Sequence, residues 1–442
     1  MSLIGPLRLA ARRRGSALVA ALCFASVLAI ALTSYLTVCT RTLQLSSRNL
    51  NSGRSLELAE TGIEDALWAL NKNTWTGWTI AGTTASTTIT GFTYENGVTG
   101  KIATTVTNYN VAGAIRRLTV TGTTTMGDGT TSNRTLSGTT TAAALFVNAV
   151  AGTSGTVTFS SGGTADSYDS ALGDYATQTP TYSAILASNA AAPSSATVGL
   201  VNSQIKGYAA SLYGSGPSYS SSARLIGPST PGTTKIDASR ISGSPYQPVF
   251  DIKTPSGTGT TLLNPTTNST KTIGVSTDTS PQLYYCSGLD MTGTTKIIVD
   301  GPVQLVMTGG GAFYIGLHGG TPSFQINATG SLEVFTTGDI AIYGGGISNA
   351  TKNPKNLAVY GTNSLTVPDM STTTPFYGVI YTPNGNFTVA GNAAIYGAIV
   401  AKKVSLTGSA PAIHYDLNLR QTVFTGIDTP FSVANLGEIT NL

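Results

Sequence analysis

Charge is the scarcest ingredient of this chain. Only 10% of its 442 residues are charged, and 24 Lys and Arg against 20 Asp and Glu leave a net +4. So small an excess offers no basic patch of the kind that nucleic-acid binding requires. The arginines gather instead between Arg8 and Arg54. Cysteine is nearly absent. Cys23 and Cys39 would lie about 24 Å apart along a helix, too far to bridge, and Cys286 stands alone. No intramolecular disulfide can therefore staple the chain. Flanked by Tyr284 and Tyr285, Cys286 reads as a small buried hydrophobe. His318 and His414 are the two histidines, and neither sits in an H-x-x-x-H or C-x-x-C context. No metal, no cofactor and no catalytic triad is expected from them. Proline is missing between Pro6 and Pro180. Nothing in that span forbids a long helix.

A long helix is what the N-terminus encodes. Arg12, Arg13 and Arg14 precede Gly15 and Ser16, and no charge follows until Arg41. The 26 residues from Gly15 to Thr40 make about 39 Å of helix, more than the roughly 30 Å of a hydrocarbon core. The arginine cluster orients the segment with its N-terminus in the cytoplasm, so residues beyond Arg41 lie outside. A secretory signal has a shorter apolar core and a small-x-small cleavage site, which Ser34-Tyr35-Leu36-Thr37 does not supply. An uncleaved transmembrane anchor is the plain alternative. Past Arg41 the pattern turns amphipathic. Ala59, Gly62, Ile63, Ala66, Leu67 and Leu70 recur at spacings of three and four, with Glu57, Glu60, Glu64 and Asp65 elsewhere.

Gly15-Ser16 at the boundary between charge and apolar run resembles a type IV prepilin leader. Together with the apolar helix and Ala59-Glu60-Thr61-Gly62-Ile63-Glu64-Asp65-Ala66-Leu67, the segment at about residues 10–71 resembles the N-terminal domain of PilX-type minor pilins. It is also similar to the minor pseudopilins of type II secretion. The resemblance implies cleavage between Gly15 and Ser16 by a prepilin peptidase. It also implies packing of the helix against other pilins or pseudopilins. One departure is informative. Major pilins carry a glutamate at the fifth residue after the cut, where this chain has Ala20. A subunit of low abundance, or one at a tip, fits that absence.

Residues 72–140 read as a β-rich region of the pilin-like part. Ile102 to Thr107 and Arg117 to Thr125 alternate apolar and polar residues, and Gly127-Asp128-Gly129 marks a turn. An apolar-Tyr-Gly triplet recurs at Ile342-Tyr343-Gly344, Val359-Tyr360-Gly361, Phe376-Tyr377-Gly378 and Ile395-Tyr396-Gly397. A period near 18 is one coil of a parallel β-solenoid, whose stacked coils build a continuous core. On that reading Tyr343, Tyr360, Tyr377 and Tyr396 stack at equivalent positions. Val379, Ile380, Ala398 and Ile399 then alternate between inside and outside. An antiparallel sandwich with a chance repeat is the alternative.

The fold class expected is thus mainly β with one long N-terminal α-helix. Its parts are a basic leader at 1–15, a pilin-like helix at 16–71, the β-rich region at 72–140 and a β-solenoid at 141–420. The solenoid carries a Ser/Pro-rich insertion near 211–265, and 421–442 is a C-terminal tail. Asp166, Asp169 and Asp174 could ligate calcium, although an Asx-turn cluster is the simpler reading. Asp300, Asp339, Asp369 and Asp416 are the aspartates available to a catalytic groove between residues 295 and 420. The function expected is that of a non-enzymatic minor pilin-like component of a type IV pilus or a type II secretion-like filament. It would sit in the bacterial inner membrane, with its exterior in the periplasm or on a surface filament. The exterior would serve surface contact, adhesion or filament initiation, with carbohydrate as a candidate ligand. The rivals are a membrane-tethered β-helical carbohydrate enzyme and a structural envelope protein with an uncleaved anchor.

Overall fold

The computed structural model describes residues 7–72, 74–110, 115–142, 144–191, 196–212, 216–243, 247–361, 369–424, 426–427 and 431–439. The chain divides into two units. One is Met1–Thr141 with Phe431–Leu442, and the other is Ala142–Pro430. As the sequence leads one to expect, a single long apolar helix precedes a β-rich chain with parallel strands.

Helix α1 spans Leu7–Lys72 without interruption, a rod of roughly 100 Å. Its stretch from Ala17 is long and apolar enough to cross a membrane, and none of its most apolar part is buried by the described residues. Leu18, Leu22, Phe24 and Ile30 are all more than 60% exposed. The C-terminal half meets a different environment. Leu58, Ala59, Ile63, Ala66 and Leu70 are buried against Ile102, Val106, Leu118, Val120 and Leu136. These partners come from an antiparallel sheet of β1 (Thr79–Ala81), β2 (Thr84–Thr93), β3 (Thr99–Thr107), β4 (Arg116–Thr125) and β5 (Thr131–Ala142). Burial alternates along β3, with Gly100, Ile102, Thr104 and Val106 turned inward, as the two-residue period of a half-buried strand requires.

Helix and sheet come very close at one place. A Cβ on Gly122 would lie 2.0 Å from the Ser55 carbonyl oxygen, so only glycine allows the backbones to approach there. The buried polar groups at this contact satisfy one another. The Ser55 hydroxyl lies 2.8 Å from the Ser132 carbonyl and 2.9 Å from the Thr124 hydroxyl. Residues set apart in the sequence as a tail supply the sixth strand. Phe431–Glu438 lies next to β5. The Thr139 hydroxyl donates to the Ala434 carbonyl, the Ile439 amide donates to Thr135, and Arg134 pairs with Glu438 at 2.6 Å. The hydrophobic signal was weak, because the strand is largely exposed.

In the second unit the strands pair in parallel along three ladders, which the chain visits in a fixed order. The first ladder runs through Thr270–Ile273, Lys296–Val299, Ser323–Ile326 and Gly346–Asn349. The second runs through Gln282–Cys286, Pro302–Met307, Ser331–Thr336 and Leu357–Gly361. The third runs through Leu289–Gly293, Phe313–Gly320, Ile340–Gly344 and Met370–Thr372. The long strands Phe376–Val389 and Ala394–Leu406 then pass through all three positions in succession and pair with each other over most of their length.

Beyond that point the order of the stack departs from the order of the sequence. Ile399 pairs with Val150 and Leu406 with Phe159, so the next coil takes its second and third strands from Val150–Gly152 and Val157–Phe159. Its first strand is Ala412–Asp416, which sits between Ala394–Tyr396 and Thr164–Tyr168. One coil is therefore shared by the two ends of the unit. Further coils follow through Ala184–Ser188, Val198–Leu200 and Gln204–Ser211, and the last holds Ser218–Tyr219, Arg224–Ile226 and Ile241–Ser242. The chain then returns along the outside of the second ladder. There the Tyr381 hydroxyl lies 2.7 Å from the Phe250 amide and 2.8 Å from its carbonyl, and Ile252 pairs with Ile427.

The repeat in the sequence holds in part. Tyr377 lies opposite Tyr396, Val379 opposite Ala398, Phe387 opposite Val404 and Val389 opposite Leu406. Tyr360, however, lies opposite Tyr381, and Tyr343 lies opposite Ser371. Those two tyrosines belong to different ladders, so four tyrosines do not form one column. The reason is loop length. The step between coils is 19 residues from Phe376 to Ile395 but 29 from Val303 to Leu332. Loops of different size leave the ladders intact while they scramble any fixed period. Val379, Ile380, Ala398 and Ile399 occupy alternate positions along their strands yet do not differ in exposure. All four are buried. The outer side of the second ladder is covered by the returning chain.

Gly122→Val should drive α1 off the sheet and cost about 3 kcal/mol, the scale of an overpacked core. Gly53→Ala, on an exposed helix position with nothing within 4 Å of a new Cβ, should be neutral or stabilising. Thermal unfolding of the detergent-solubilised protein checks both.

Candidate functional site

A cluster of aromatic and ionisable side chains lies on the first ladder, at the shared coil. Parallel register places Tyr377 opposite Tyr396, Tyr396 opposite His414 and His414 opposite Asp166. The rings follow that register. Tyr377 and Tyr396 stack at 4.2 Å between centroids and 11° between planes. Tyr396 lies 4.6 Å from His414. An excursion from the ladder at residues 169–183 covers the column. Its short helical turn Tyr175–Thr177 lays the Tyr175 ring 4.0 Å from His414. The Tyr175 hydroxyl donates to Asp166 Oδ2 at 2.8 Å, and His414 Nδ1 lies 2.7 Å from Asp166 Oδ1. Both members of the His–Asp pair are nearly buried. Just before that turn Asp174 reaches Lys352 at 2.7 Å, on the exposed surface.

Beneath the column lies a second pair in register, Asp416 and Tyr168, both 1% exposed. Asp416 Oδ1 accepts from the amides of Ser170 and Asn418 at 2.9 and 3.1 Å. Among the described residues, Asp416 Oδ2 and the Tyr168 hydroxyl are buried without a hydrogen-bond partner. Burial raises the carboxyl pKa of Asp416 above its ordinary value, and the two amide bonds oppose that shift. Burial raises the phenols as well. Tyr377 is pushed up to about 12, by burial first and the neighbouring Tyr396 second. Tyr168 goes higher through burial and Asp416, and Tyr175 through burial and its bond to Asp166. The stack is thus made of neutral rings at ordinary pH.

The contacts in this arrangement join segments of the chain that are far apart in sequence. Asp166 is the polar partner of His414 among the described residues, and two aromatic rings cover the imidazole. The three aspartates considered for calcium are drawn apart. Asp166 faces His414 and Tyr175, Asp169 caps the turn at Ala171, and Asp174 faces Lys352. Among the described residues, no three His, Cys, Asp or Glu side chains gather to hold a metal. The aspartates considered for a groove have separate partners. Asp300 accepts from Asn327, Asp339 from Tyr314, Asp369 from the Thr388 amide and Asp416 from the two amides above. The second histidine also has an aspartate, with His318 Nδ1 at 2.9 Å from Asp290, but that pair is solvent-exposed.

Sequence reasoning placed neither His–Asp pair. His414 and Asp166 are 248 positions apart and meet only through the shared coil. His318 and Asp290, 28 apart, follow coil spacing, which was a usable signal. Gly15, Ser16 and Arg12 to Arg14 fall within the backbone of α1, and their side chains lie outside the described residues.

A family model described as a domain of unknown function (DUF7305) matches residues 255–422. No curated protein matches. Among solved structures, the competence-associated pilin ComZ from Thermus thermophilus is similar at 10% identity. The match covers 88% of this chain and 98% of that one, at a TM-score of 0.22.

Asp416→Asn should preserve the fold, since an amide oxygen can still accept from the Ser170 and Asn418 amides. Asp416→Ala should cost about 1–3 kcal/mol by leaving buried amides unpaired. The pH dependence has a definite sign. A carboxyl raised in the folded state contributes stability that is present below its unfolded pKa, about 4, and is lost as pH rises through the folded value. The urea midpoint of the native protein minus that of Asp416→Asn should therefore fall as pH rises from about 4. A flat difference would show that Asp416 does not titrate in this range.

Proposed function

We propose that this chain is a minor pilin-like subunit, non-enzymatic, whose parallel β-coils form a solenoid displayed on a type IV or type II secretion-like filament. The observation that carries this reading is the continuity of α1. One unbroken helix is exposed and apolar over its first half, and packs on one side against an antiparallel sheet over its second half. Such a helix can leave a bilayer and enter a bundle of similar helices without refolding. Its exposed apolar surface is far larger than a soluble monomer tolerates, so it needs lipid or other helices as cover. Within this reading the PilX-type resemblance assigns Gly15-Ser16 to a prepilin peptidase. The inner membrane is the site of insertion, and the coils serve surface contact, with carbohydrate as the candidate ligand. Ala20 in place of a glutamate, and an exterior unit of nearly 290 residues on each subunit, favour a few copies at a tip or in an initiating complex.

Processing tests the reading directly. In cells with an active prepilin peptidase the mature chain should begin at Ser16, and Gly15→Leu should abolish the cut. N-terminal sequencing that finds Met1 or Ser2 in the wild type overturns the pilin assignment in favour of an uncleaved anchor. Mass spectrometry of sheared filaments should find trace amounts relative to the main subunit. Turnover of a polysaccharide by the purified protein would favour the enzymatic rival instead.

A further inference from the structure

We infer that the C-terminal strands Ala412–Asp416 and Phe431–Glu438 act as a double latch, leaving both units incomplete until the end of the chain is in place. The register makes the case for the second unit. The shared coil has three strands, and the first comes from the C-terminal side while the other two come from the N-terminal side. Ile413 and Tyr415 are buried in the stack. Four polar contacts of this strand and its flank reach back across the unit. The Tyr415 hydroxyl donates to the Phe146 carbonyl at 2.7 Å, His414 meets Asp166, Asp416 accepts from Ser170, and Arg420 donates to the Ser183 carbonyl at 3.0 Å. Without this strand, Ala394–Tyr396 and Thr164–Tyr168 face an empty place in the ladder. The coils from Val150 onward then hold to Ala394–Leu406 through two ladders only.

The first unit has the same dependence. Phe431–Glu438 pairs beside β5, and both its amide and its carbonyl at Phe431 bond the Asn71 side chain at 2.5 and 3.3 Å. The Arg116 guanidinium lies 4.3 Å over the Phe431 ring. The sequence between β5 and this strand is the whole second unit. An ordinary stack of coils has its two ends at opposite poles. A unit inserted between neighbouring strands needs its ends together, and sharing one coil between the ends achieves that. Both closures join segments hundreds of residues apart, so they are the slowest contacts to find and complete the fold last.

Hydrogen exchange on the detergent-solubilised protein tests the latch in three forms: the full chain, a truncation after Pro430, and Ile413→Lys. Truncation should speed exchange in β5 at least tenfold and leave residues 164–168 unchanged. Ile413→Lys should do the reverse, speeding 164–168 and 394–396 while β5 keeps its rate. Wild-type exchange at 164–168 in Ile413→Lys, or at β5 in the truncation, overturns the inference. Should either variant fail to accumulate, the double variant Ala412→Cys, Thr164→Cys decides the closure in an intact chain, because those residues are direct partners. A short bismaleimide should join the two peptides, and absence of that adduct refutes the shared coil. None of these outcomes depends on cleavage at Gly15, so failure here is distinct from failure of the pilin reading.

Discussion

A coil of parallel strands cannot bury its inward side or satisfy its edges alone, so each coil in this protein depends on the one beside it. Everything in the second unit follows from keeping that contact unbroken across the place where sequence order fails. At the shared coil, Ile413 continues the column of Phe376 and Ile395, and Ala165 continues it on the other side. The same apolar interior therefore runs through residues that are near 400 and near 150 without a gap in packing. The exterior of that junction is held by polar contacts of a kind that fix register. His414 with Asp166, Tyr175 over both, and the Tyr377–Tyr396 stack all lock one coil to the next.

The choice of residues at the junction reflects its need for a unique register. A one-residue slip would turn Ile413 outward and His414 inward, exchanging a buried apolar contact for a buried imidazole without a partner. Apolar packing sets that penalty, and the His–Asp–Tyr group adds to it. The buried Asp416 extends the same logic beneath the surface, because its carboxylate ties the strand to the amides of Ser170 and Asn418. The second ladder is protected differently. Its outer side carries Phe335, Tyr360 and Tyr381, and the returning chain at Phe250 and Ile252 covers them.

The first unit is simpler, and α1 dominates it. A helix that is apolar on all sides over its first half and on one side over its second must change surroundings along its length. Gly122 and the small residues Ala59, Ser55 and Ala66 let the second half approach the sheet closely. The acidic residues Glu57, Glu60 and Glu64 remain on the exposed side. This is the geometry on which the proposed role as a filament subunit rests.

Sequence by itself determined α1, the alternation along β3 and β4, and the pairing of coil 376–389 with coil 394–406. Those features rest on contacts within a few turns of chain or on composition, and short-range periodicity records them. Tertiary structure alone decided which coil follows which, the meeting of His414 with Asp166, and the use of Phe431–Glu438 as a sixth strand. It also separated Tyr343 and Tyr360 from the column of Tyr377. Loops of unequal length carry no periodic signal, and a strand completed by residues hundreds of positions away leaves no local trace. Only the requirement that every ladder be continuous in space fixes where such a strand must go.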